Sequence, residues 1–113
     1  MEVLILDITL VLNTVVKEAK KILNDSLHSI ILYGSYARGD YDDLSDIDIM
    51  ILVSEKAAND KNISDRFIKL AAKILYDEGI ILSFSIRDID NFNQYSQTLP
   101  YYRNIMKEGI KIA

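Results

Sequence analysis

The pattern Asp-Ile-Asp at positions 46–48, at the start of an apolar run, constrains the fold more than any other part of the chain. Side chains alternate across a strand, so Asp46 and Asp48 emerge on one face. The aliphatic residues between and after them face the other way, into a core: Ile47, Ile49, Ile51 and Val53. Two neighbouring carboxylates beside an apolar core cost stability unless a cation lies between them, and Mg²⁺ is the usual cation in phosphate chemistry. The run therefore predicts a strand that begins with a metal-binding pair.

A second motif precedes this strand and supplies a place for phosphate. Leu27 to Tyr33 is a short run rich in isoleucine, which predicts a buried strand. It leads into Gly34-Ser35, and a short helix is expected over Ser35 to Arg38, ended by Gly39. Glycine lets the backbone approach a ligand closely, and the free N–H groups at a helix start attract phosphate. We therefore expect a phosphate-binding turn beside the carboxylate pair.

Together the two motifs resemble the signature of the polymerase β-type nucleotidyltransferases, which is Gly-Ser, ten intervening residues and Asp-x-Asp. The flanking segments Ala37-Arg38-Gly39-Asp40 and Ser45-Asp46-Ile47-Asp48 add to this match. The resemblance covers most of the chain, and the ending from Tyr101 to Ile110 is similar to the minimal, single-domain branch of these nucleotidyltransferases. It implies an α+β fold, like an α/β sandwich, with a small mixed sheet flanked by helices.

The resemblance also implies roles for particular residues. Asp46 and Asp48 would be the catalytic carboxylates and the metal ligands, while Gly34 and Ser35 would hold the β- and γ-phosphates. Arg38 stays open, because an arginine there suits either a phosphate or a scaffold pairing with a carboxylate such as Asp40. ATP is the expected nucleotide because the minimal enzymes most often use it. Mg²⁺ is the expected metal, with a two-metal site conceivable but one ion better supported.

Minimal enzymes of this kind often occur with a small all-helical partner of the HEPN type, as a toxin–antitoxin pair. The resemblance therefore implies transfer of AMP from MgATP to a tyrosine or other hydroxyl on a protein partner. The alternative is a nucleotide-binding antitoxin subunit, weak or inactive in catalysis, that acts by occupying its helical partner. The acceptor and base specificity stay open, as does the choice between homo- and hetero-oligomers.

One departure from the family pattern bears on activity. Active members usually carry a third carboxylate on a neighbouring strand, where it binds metal and helps to take the hydroxyl proton. The matching strand here is predicted over Ile80 to Ile86, and its non-core face offers Ser83 and Ser85. Asp88 and Asp90 follow the strand, in directions that the spacing does not fix. This departure favours slow transfer and adds weight to the alternative.

The remaining segments predict helices around the sheet. A first helix is expected from Ile8 onward, although residues 3–6 would also suit a strand. After a polar connection over Glu55 to Lys61, a second helix capped by Asn62 or Ser64 should end at Gly79. The later elements are expected as follows: a short helix or turn over Asp88 to Tyr95, a helix from Pro100 towards Glu108, and an edge strand over Ile110 to Ile112.

Composition limits the class of protein. At 113 residues, half of them hydrophobic, the chain is expected to form a single domain over residues 1–113. It has no cysteine, which suits a cytoplasmic location, and its net charge of −4 makes a long nucleic acid an unlikely partner. The N-terminus lacks a basic flank, and its apolar run is too short for a membrane span, so neither a signal peptide nor membrane insertion is expected.

Several polar and aromatic residues near the motifs admit two interpretations. The loop acids Asp40, Asp42 and Asp43 suit extra metal ligands or, as we favour, a solvated loop. The tyrosines near the motifs and in the last helix suit base stacking or, as we favour, packing at a half-exposed rim. These are Tyr36, Tyr41, Tyr101 and Tyr102. His28 is interpreted as a surface residue at a strand end.

Overall fold

The chain builds one mixed sheet. A computed structural model describes residues 2–113, with side chains from residue 8 onward. The strands are β1 (Leu27–Tyr33), β2 (Ile47–Val53), β3 (Leu82–Asp88) and β4 (Ile110–Lys111), in the order β3-β2-β1-β4. β1 is antiparallel to β2 and to β4, whereas β2 and β3 are parallel. This sheet, with helices on both faces, confirms the predicted α+β fold.

The helices form two layers around the sheet. Their bounds are α1 (Glu2–Leu23), α2 (Ser35–Arg38), α3 (Glu55–Ala58), α4 (Lys61–Glu78), α5 (Ile89–Tyr95) and α6 (Pro100–Glu108). A 3₁₀ turn over Asn24–Ser26 joins α1 to β1. α1 and α4 cover one face of the sheet, and α5 and α6 cover the other. Because the parallel strands β2 and β3 need a crossover connection, α3 and α4 supply it.

Both faces of β2 are apolar, which the alternating pattern alone did not predict. On the α1/α4 face, Ile47, Ile49, Ile51 and Val53 are at most 1% exposed, as the sequence indicated. On the opposite face, Met50 and Leu52 are also buried, beneath aromatic and aliphatic residues of α5 and α6. Asp48 precedes these two buried residues on the same face of β2. Because it lies near the start of the strand, it keeps contact with solvent.

The register of the sheet defines the row of side chains that surrounds Asp48. Tyr33 at the end of β1 is paired with Asp48 across the antiparallel ladder. Ser83 of β3 is paired with Asp48 across the parallel ladder. Residues opposite one another in a ladder point to the same face. Tyr33, Asp48 and Ser83 thus form one row on the α5/α6 face.

Three boundaries differ from the sequence prediction. β3 spans Leu82–Asp88 instead of Ile80 to Ile86, because its ladder begins where β2 begins, at the pair Ile47–Leu82. The polar connection predicted over Glu55 to Lys61 contains α3, whose N-cap Ser54 accepts a hydrogen bond from the backbone N–H of Ala57. The cap of α4 is Asp60, which accepts from the N–H of Asn62 at 2.9 Å, so the predicted caps Asn62 and Ser64 were wrong.

The other elements agree with expectation. The backbone of α1 is helical from Glu2, which settles the open choice between helix and strand over residues 3–6. α5 begins at Ile89 with Asp88 as its N-cap, and Pro100 opens α6. β4 pairs with β1 as the predicted edge strand. The chain after β3 therefore returns across the α5/α6 face and brings α6 over the row that holds Asp48.

Candidate active site

Gly34 joins β1 to α2 in a conformation that other residues rarely adopt. Its φ of 75° and ψ of −154° lie in a region used almost only by glycine. A Cβ placed on Gly34 would overlap Oδ2 of Asp48. The first N–H groups of a helix have no acceptor within that helix, so those of Ser35 and Tyr36 are available to an anion. The predicted turn and the predicted carboxylate are therefore in direct contact.

The two carboxylates differ in their surroundings. Asp46 is exposed just before β2, whereas Asp48 is half-buried in the second position of the strand. Burial raises the pKa of the Asp48 carboxyl above its ordinary value, the negative charge of Asp46 raises it further, and Arg38 opposes the rise. Mutual repulsion between the two acids thus raises the free energy of the ionised pair, and a bound cation would lower it.

Arg38 lies on α2 close to this pair, with its guanidinium held by carboxylates. Its Nε donates to Oδ2 of Asp40 at 3.1 Å, and its Nη1 donates to Oε2 of Glu108 at 3.5 Å. Both bonds are exposed and involve charged partners. Such surface ion pairs contribute little stability, and a guanidinium group suits phosphate as well as carboxylate. The scaffold pairing with Asp40 is therefore present, and a phosphate contact for Arg38 stays a prediction.

The position opposite Asp48 on β3 is a serine. Ser83 is the register partner of Asp48, so it occupies the place from which a neighbouring strand could add a third carboxylate. Asp88 is paired with Val53, five positions further along the ladder, roughly 16 Å away at the usual rise per residue. Asp88 and Asp90 therefore lie at the far end of the sheet. Within residues 8–113, no three His, Cys, Asp or Glu side chains gather as metal ligands.

Three hydroxyl groups meet on the same face, near Ser85, which lies one row past Asp48, in a cluster that the sequence did not predict. The Tyr33 hydroxyl lies 2.8 Å from the Tyr101 hydroxyl and 3.2 Å from Oγ of Ser85. Tyr101 also donates to Ser85 at 3.3 Å. Burial is the main cause that raises the pKa of Tyr33 to about 12, so this phenol is neutral at physiological pH. We call Tyr33, Ser85 and Tyr101 the hydroxyl cluster. The one indication of this cluster in the sequence is that strand alternation puts Tyr33 and Ser85 on the same face as Asp48.

The surroundings of the acidic loop residues favour a solvated loop over extra metal ligands. Asp40 pairs with Arg38. Asp42 accepts hydrogen bonds from the Leu44 N–H and the Ser45 hydroxyl, at 2.8 and 3.3 Å, which folds the loop before β2. Asp43 is exposed. The loop therefore uses its acids to shape the entry to the carboxylate pair.

The tyrosines divide between packing and surface roles. Tyr36 and Tyr41 stack on each other with centroids 4.3 Å apart, and Tyr102 is buried with its hydroxyl on Asn91. Tyr101, in contrast, is 43% exposed. The half-buried, stacked pair Tyr36 and Tyr41 agrees with packing at a half-exposed rim. Tyr102 packs in the core instead of at a rim, and Tyr101 belongs to the hydroxyl cluster. His28 is exposed at the start of β1, as expected, at an irregularity in the ladder to β2.

The carboxylate pair lies where β2 begins, outside two cavities of the domain. A cavity of about 440 Å³ lies between α1 and α4, and another of about 290 Å³ lies under α5 and α6. Neither includes Gly34, Asp46 or Asp48. The candidate site is therefore defined by its residues, because neither cavity contains it. No helix among residues 2–113 has both the length and the hydropathy that crossing a membrane requires.

A family model described as "Nucleotidyltransferase domain" matches residues 12–112, which include the turn, the carboxylate pair and the hydroxyl cluster. The chain belongs to this nucleotidyltransferase domain family. Two relatives come from Methanocaldococcus jannaschii. "Putative protein adenylyltransferase MJ0141" is 39% identical over 93 residues, which cover 69% of this chain and 91% of the relative. "Putative protein adenylyltransferase MJ0604" is 36% identical over 83 residues, which cover 74% of this chain and 75% of the relative.

A solved structure supports the fold of this nucleotidyltransferase domain. The structure described as "Crystal structure of the toxin-antitoxin with AMP-PNP" matches with a TM-score of 0.55 and 20% identity. The match covers 87% of this chain and 69% of that chain. The family and the fold inferred from the Gly-Ser and Asp-x-Asp motifs are thus confirmed.

The side chains of this nucleotidyltransferase domain fit a hydrated divalent cation. Asp48 lies against Gly34, and Asp46 is close enough to raise the pKa of Asp48, so both carboxylates are oxygen donors near the Gly34–Ser35 turn, where phosphate binding is expected. Mg²⁺ usually takes one or two carboxylates from a protein and completes its octahedral shell with phosphate oxygens and water. The donor set thus suits Mg²⁺ bound together with a nucleotide.

Proposed function

We propose that this nucleotidyltransferase domain transfers AMP from ATP to a hydroxyl group on a protein partner. The observation that carries this proposal is the contact between Gly34 and Asp48, which joins a phosphate turn to a pair of carboxylates. Relatives that bear the name protein adenylyltransferase support AMP as the group and protein as the acceptor class. A protein acceptor would reach the site from solvent, because Asp46 is exposed just before β2.

Each site residue has a role in this reaction. The N–H groups of Ser35 and Tyr36, with the Ser35 hydroxyl, would bind the β- and γ-phosphates and orient the α-phosphate towards the acceptor. Arg38 would exchange its partners Asp40 and Glu108 for phosphate oxygens. Asp46 and Asp48 would hold Mg²⁺. That ion would offset charge on the attacking and leaving oxygens.

The partner is proposed to be a small helical protein of the HEPN type, in a toxin–antitoxin pair within the cytoplasm. The fold neighbour described as a toxin–antitoxin with AMP-PNP supports this context. The chain is proposed to act as one domain over residues 1–113. Its contribution would be the nucleotide site, with the acceptor hydroxyl brought by the partner.

A second candidate function is favoured by Ser83. Because the register partner of Asp48 is a hydroxyl, the proton of an acceptor meets no additional carboxylate among the described residues near this row. A serine hydroxyl is a poor metal ligand and no base near neutral pH. The domain would then bind MgATP and restrain its partner through the complex, with slow transfer or none.

Co-expression with the adjacent gene's product separates the two candidates. Intact mass measurement of the purified complex should show increments of AMP on the partner, and Asp46→Ala combined with Asp48→Ala should abolish them. A stable complex that carries no increment, and whose nucleotide binding is normal, would favour the binding subunit.

A further inference from the structure

The face around Asp48 has a direction along the strands. Gly34 follows Tyr33 on β1, and because β1 is antiparallel to β2, the phosphate turn lies towards the Asp46 end. Ser85 is paired with Met50, one row past Asp48 in the opposite direction. Along the strands, Asp48 therefore lies between the phosphate turn and Ser85. The Tyr33 side chain starts in the row of Asp48, and its hydroxyl reaches Ser85, where the Tyr101 hydroxyl also lies.

This order matches the requirement of phosphoryl chemistry for roughly in-line attack. If the leaving phosphates lie at the Gly34–Ser35 turn, the attacking hydroxyl should approach from the opposite side of the α-phosphate. That side is where the hydroxyl cluster lies. The chain thus places hydroxyl groups of its own on the approach side of the site.

Among the three hydroxyl groups, that of Tyr101 is best suited to react. Tyr33 and Ser85 are half-buried on strands, whereas Tyr101 is 43% exposed on the first turn of α6. Its ring meets that of Tyr33 edge to face, with centroids 6.0 Å apart, and its hydroxyl lies 2.8 Å from the Tyr33 hydroxyl. A rotation of this exposed side chain would move the hydroxyl towards Asp48 without disturbing either strand.

We propose that Tyr101 is a self-modification site, at which the domain transfers AMP to its own chain when no partner hydroxyl occupies the site. This inference rests on the proposed nucleotidyl transfer and adds an acceptor on the chain itself. Tyr33 acts as a positioning residue, since its hydroxyl holds that of Tyr101 beside the site.

The reaction is balanced without any further reagent. The phenolic oxygen of Tyr101 attacks the α-phosphorus of ATP, and the bond from that phosphorus to the β-phosphate oxygen breaks. The products are AMP in a phosphodiester bond to the tyrosine oxygen, pyrophosphate, and a proton that passes to solvent at the exposed phenol. The modified tyrosine would then occupy the approach side of the site and hinder a partner hydroxyl.

The test incubates the purified chain alone with MgATP, followed by intact mass measurement and peptide mapping. One AMP on Tyr101 is expected, and the rate constant should not depend on protein concentration. Tyr101→Phe should remove the label. Tyr33→Phe should slow labelling by about tenfold through mispositioning. The control is Tyr76→Phe, because Tyr76 is 91% exposed on α4 and should keep the label unchanged.

Each other outcome overturns the inference. The inference is wrong if the label survives Tyr101→Phe or appears equally on Tyr76. It is also wrong if the rate of labelling is proportional to protein concentration. An unlabelled chain beside an adenylylated co-expressed partner would overturn the inference and leave the proposed function intact. If neither chain is labelled, both fall.

A second readout does not depend on transfer. Tetranitromethane nitrates accessible tyrosines, so bound nucleotide should protect Tyr101. With Mg²⁺ and an ATP analogue whose α,β-bridge is methylene, nitration of Tyr101 should fall while nitration of Tyr76 stays constant. Equal nitration of Tyr101 with and without the analogue would place it away from the nucleotide and overturn the inference.

Discussion

At the scale of residues, the contact between Gly34 and Asp48 sets the tightest requirement of the site. Gly34 combines a positive φ with a neighbour that leaves no room for a side chain, while Gly39 has a positive φ of 86° and open space around it. The two glycines therefore separate the effect of backbone conformation from the effect of contact. Their comparison tests whether the phosphate turn must approach Asp48 closely.

Gly34→Ala should abolish nucleotide binding and lower the free energy of unfolding by about 2–3 kcal/mol, because conformation and contact both oppose the methyl group. Gly39→Ala should cost about 1 kcal/mol, from conformation alone, and keep the nucleotide affinity. Ser35→Ala should weaken binding modestly, since backbone donors remain. Titration calorimetry with MgATP and denaturant unfolding measure both quantities. Equal losses of affinity in the two glycine variants would place the phosphates elsewhere.

Asp48→Asn should make the free protein more stable at neutral pH. Because the pKa of Asp48 is raised in the folded state, the unfolded chain, with a value of 3.8, ionises first. This residue's contribution is fully present below pH 3.8 and is lost as pH rises through the raised pKa. Its removal should gain at most about 1 kcal/mol, since water screens the half-exposed group.

Thermal unfolding from pH 3 to pH 8 checks this prediction. The stability of Asp48→Asn should equal that of the wild type below pH 3.8 and exceed it at higher pH. The same variant should lose the stabilisation that MgATP gives to the wild type. A variant less stable at pH 7 than the wild type would contradict the prediction.

Ser83→Asp should raise the rate of AMP transfer, because the new carboxylate faces Asp48 across the parallel ladder. A general base typically contributes about 10²–10⁴-fold. Ser64→Asp is the matched control, since it adds the same charge at an exposed position on α4. It should give no increase. Transfer rates measured with radiolabelled ATP decide, and equal rates in the two variants would show that this geometry does not limit the reaction.

At the scale of elements, β3 shows how much of the site follows from local pattern. The alternation from Ile80 predicted which side chains face the core, and the structure keeps that parity, with Ser83 and Ser85 opposite to it. The pattern could not fix where the strand begins, because a ladder starts only where its partner strand starts. The direction of Asp88 was open for the same reason.

Asp88→Ala should destabilise α5 and leave nucleotide binding unchanged. The Asp88 carboxylate accepts a hydrogen bond from the Asp90 N–H at 2.9 Å, and loss of an N-cap costs about 1 kcal/mol. Denaturant unfolding should show this loss, while calorimetry with MgATP should give the wild-type affinity. A loss of affinity with unchanged stability would instead bring Asp88 into the site.

The missed elements were missed for physical reasons. α3 is four residues long, which is too short to show a hydrophobic period. The one signal for it in the sequence is the N-cap residue Ser54. The hydroxyl cluster joins Tyr33 to Tyr101, which are 68 positions apart in the chain. Such a contact depends on α6 crossing the sheet, so no local spacing encodes it. The Gly-Ser and Asp-x-Asp motifs were accessible because each lies within one strand–turn unit.

At the scale of the whole molecule, charge determines how the site can bind its ligand. The chain carries a net charge of −4, and the carboxylate pair, with Asp46 exposed and Asp48 half-buried, adds local negative potential where β2 begins. ATP is also an anion, so without a cation the two would repel each other. A divalent ion shared between the carboxylates and the phosphates would offset the repulsion within the carboxylate pair and the repulsion between that pair and ATP.

MgATP should therefore raise the unfolding temperature far more than ATP with EDTA. At 100 times the Kd, bound ligand adds about 2.7 kcal/mol to the free energy of unfolding. Asp46→Asn should remove the difference between the two conditions. Asp65→Asn is the matched control, because it changes the net charge equally at an exposed position on α4. If Asp46→Asn and Asp65→Asn respond alike, general charge explains the effect, and Asp46 is not a ligand of the metal–nucleotide complex.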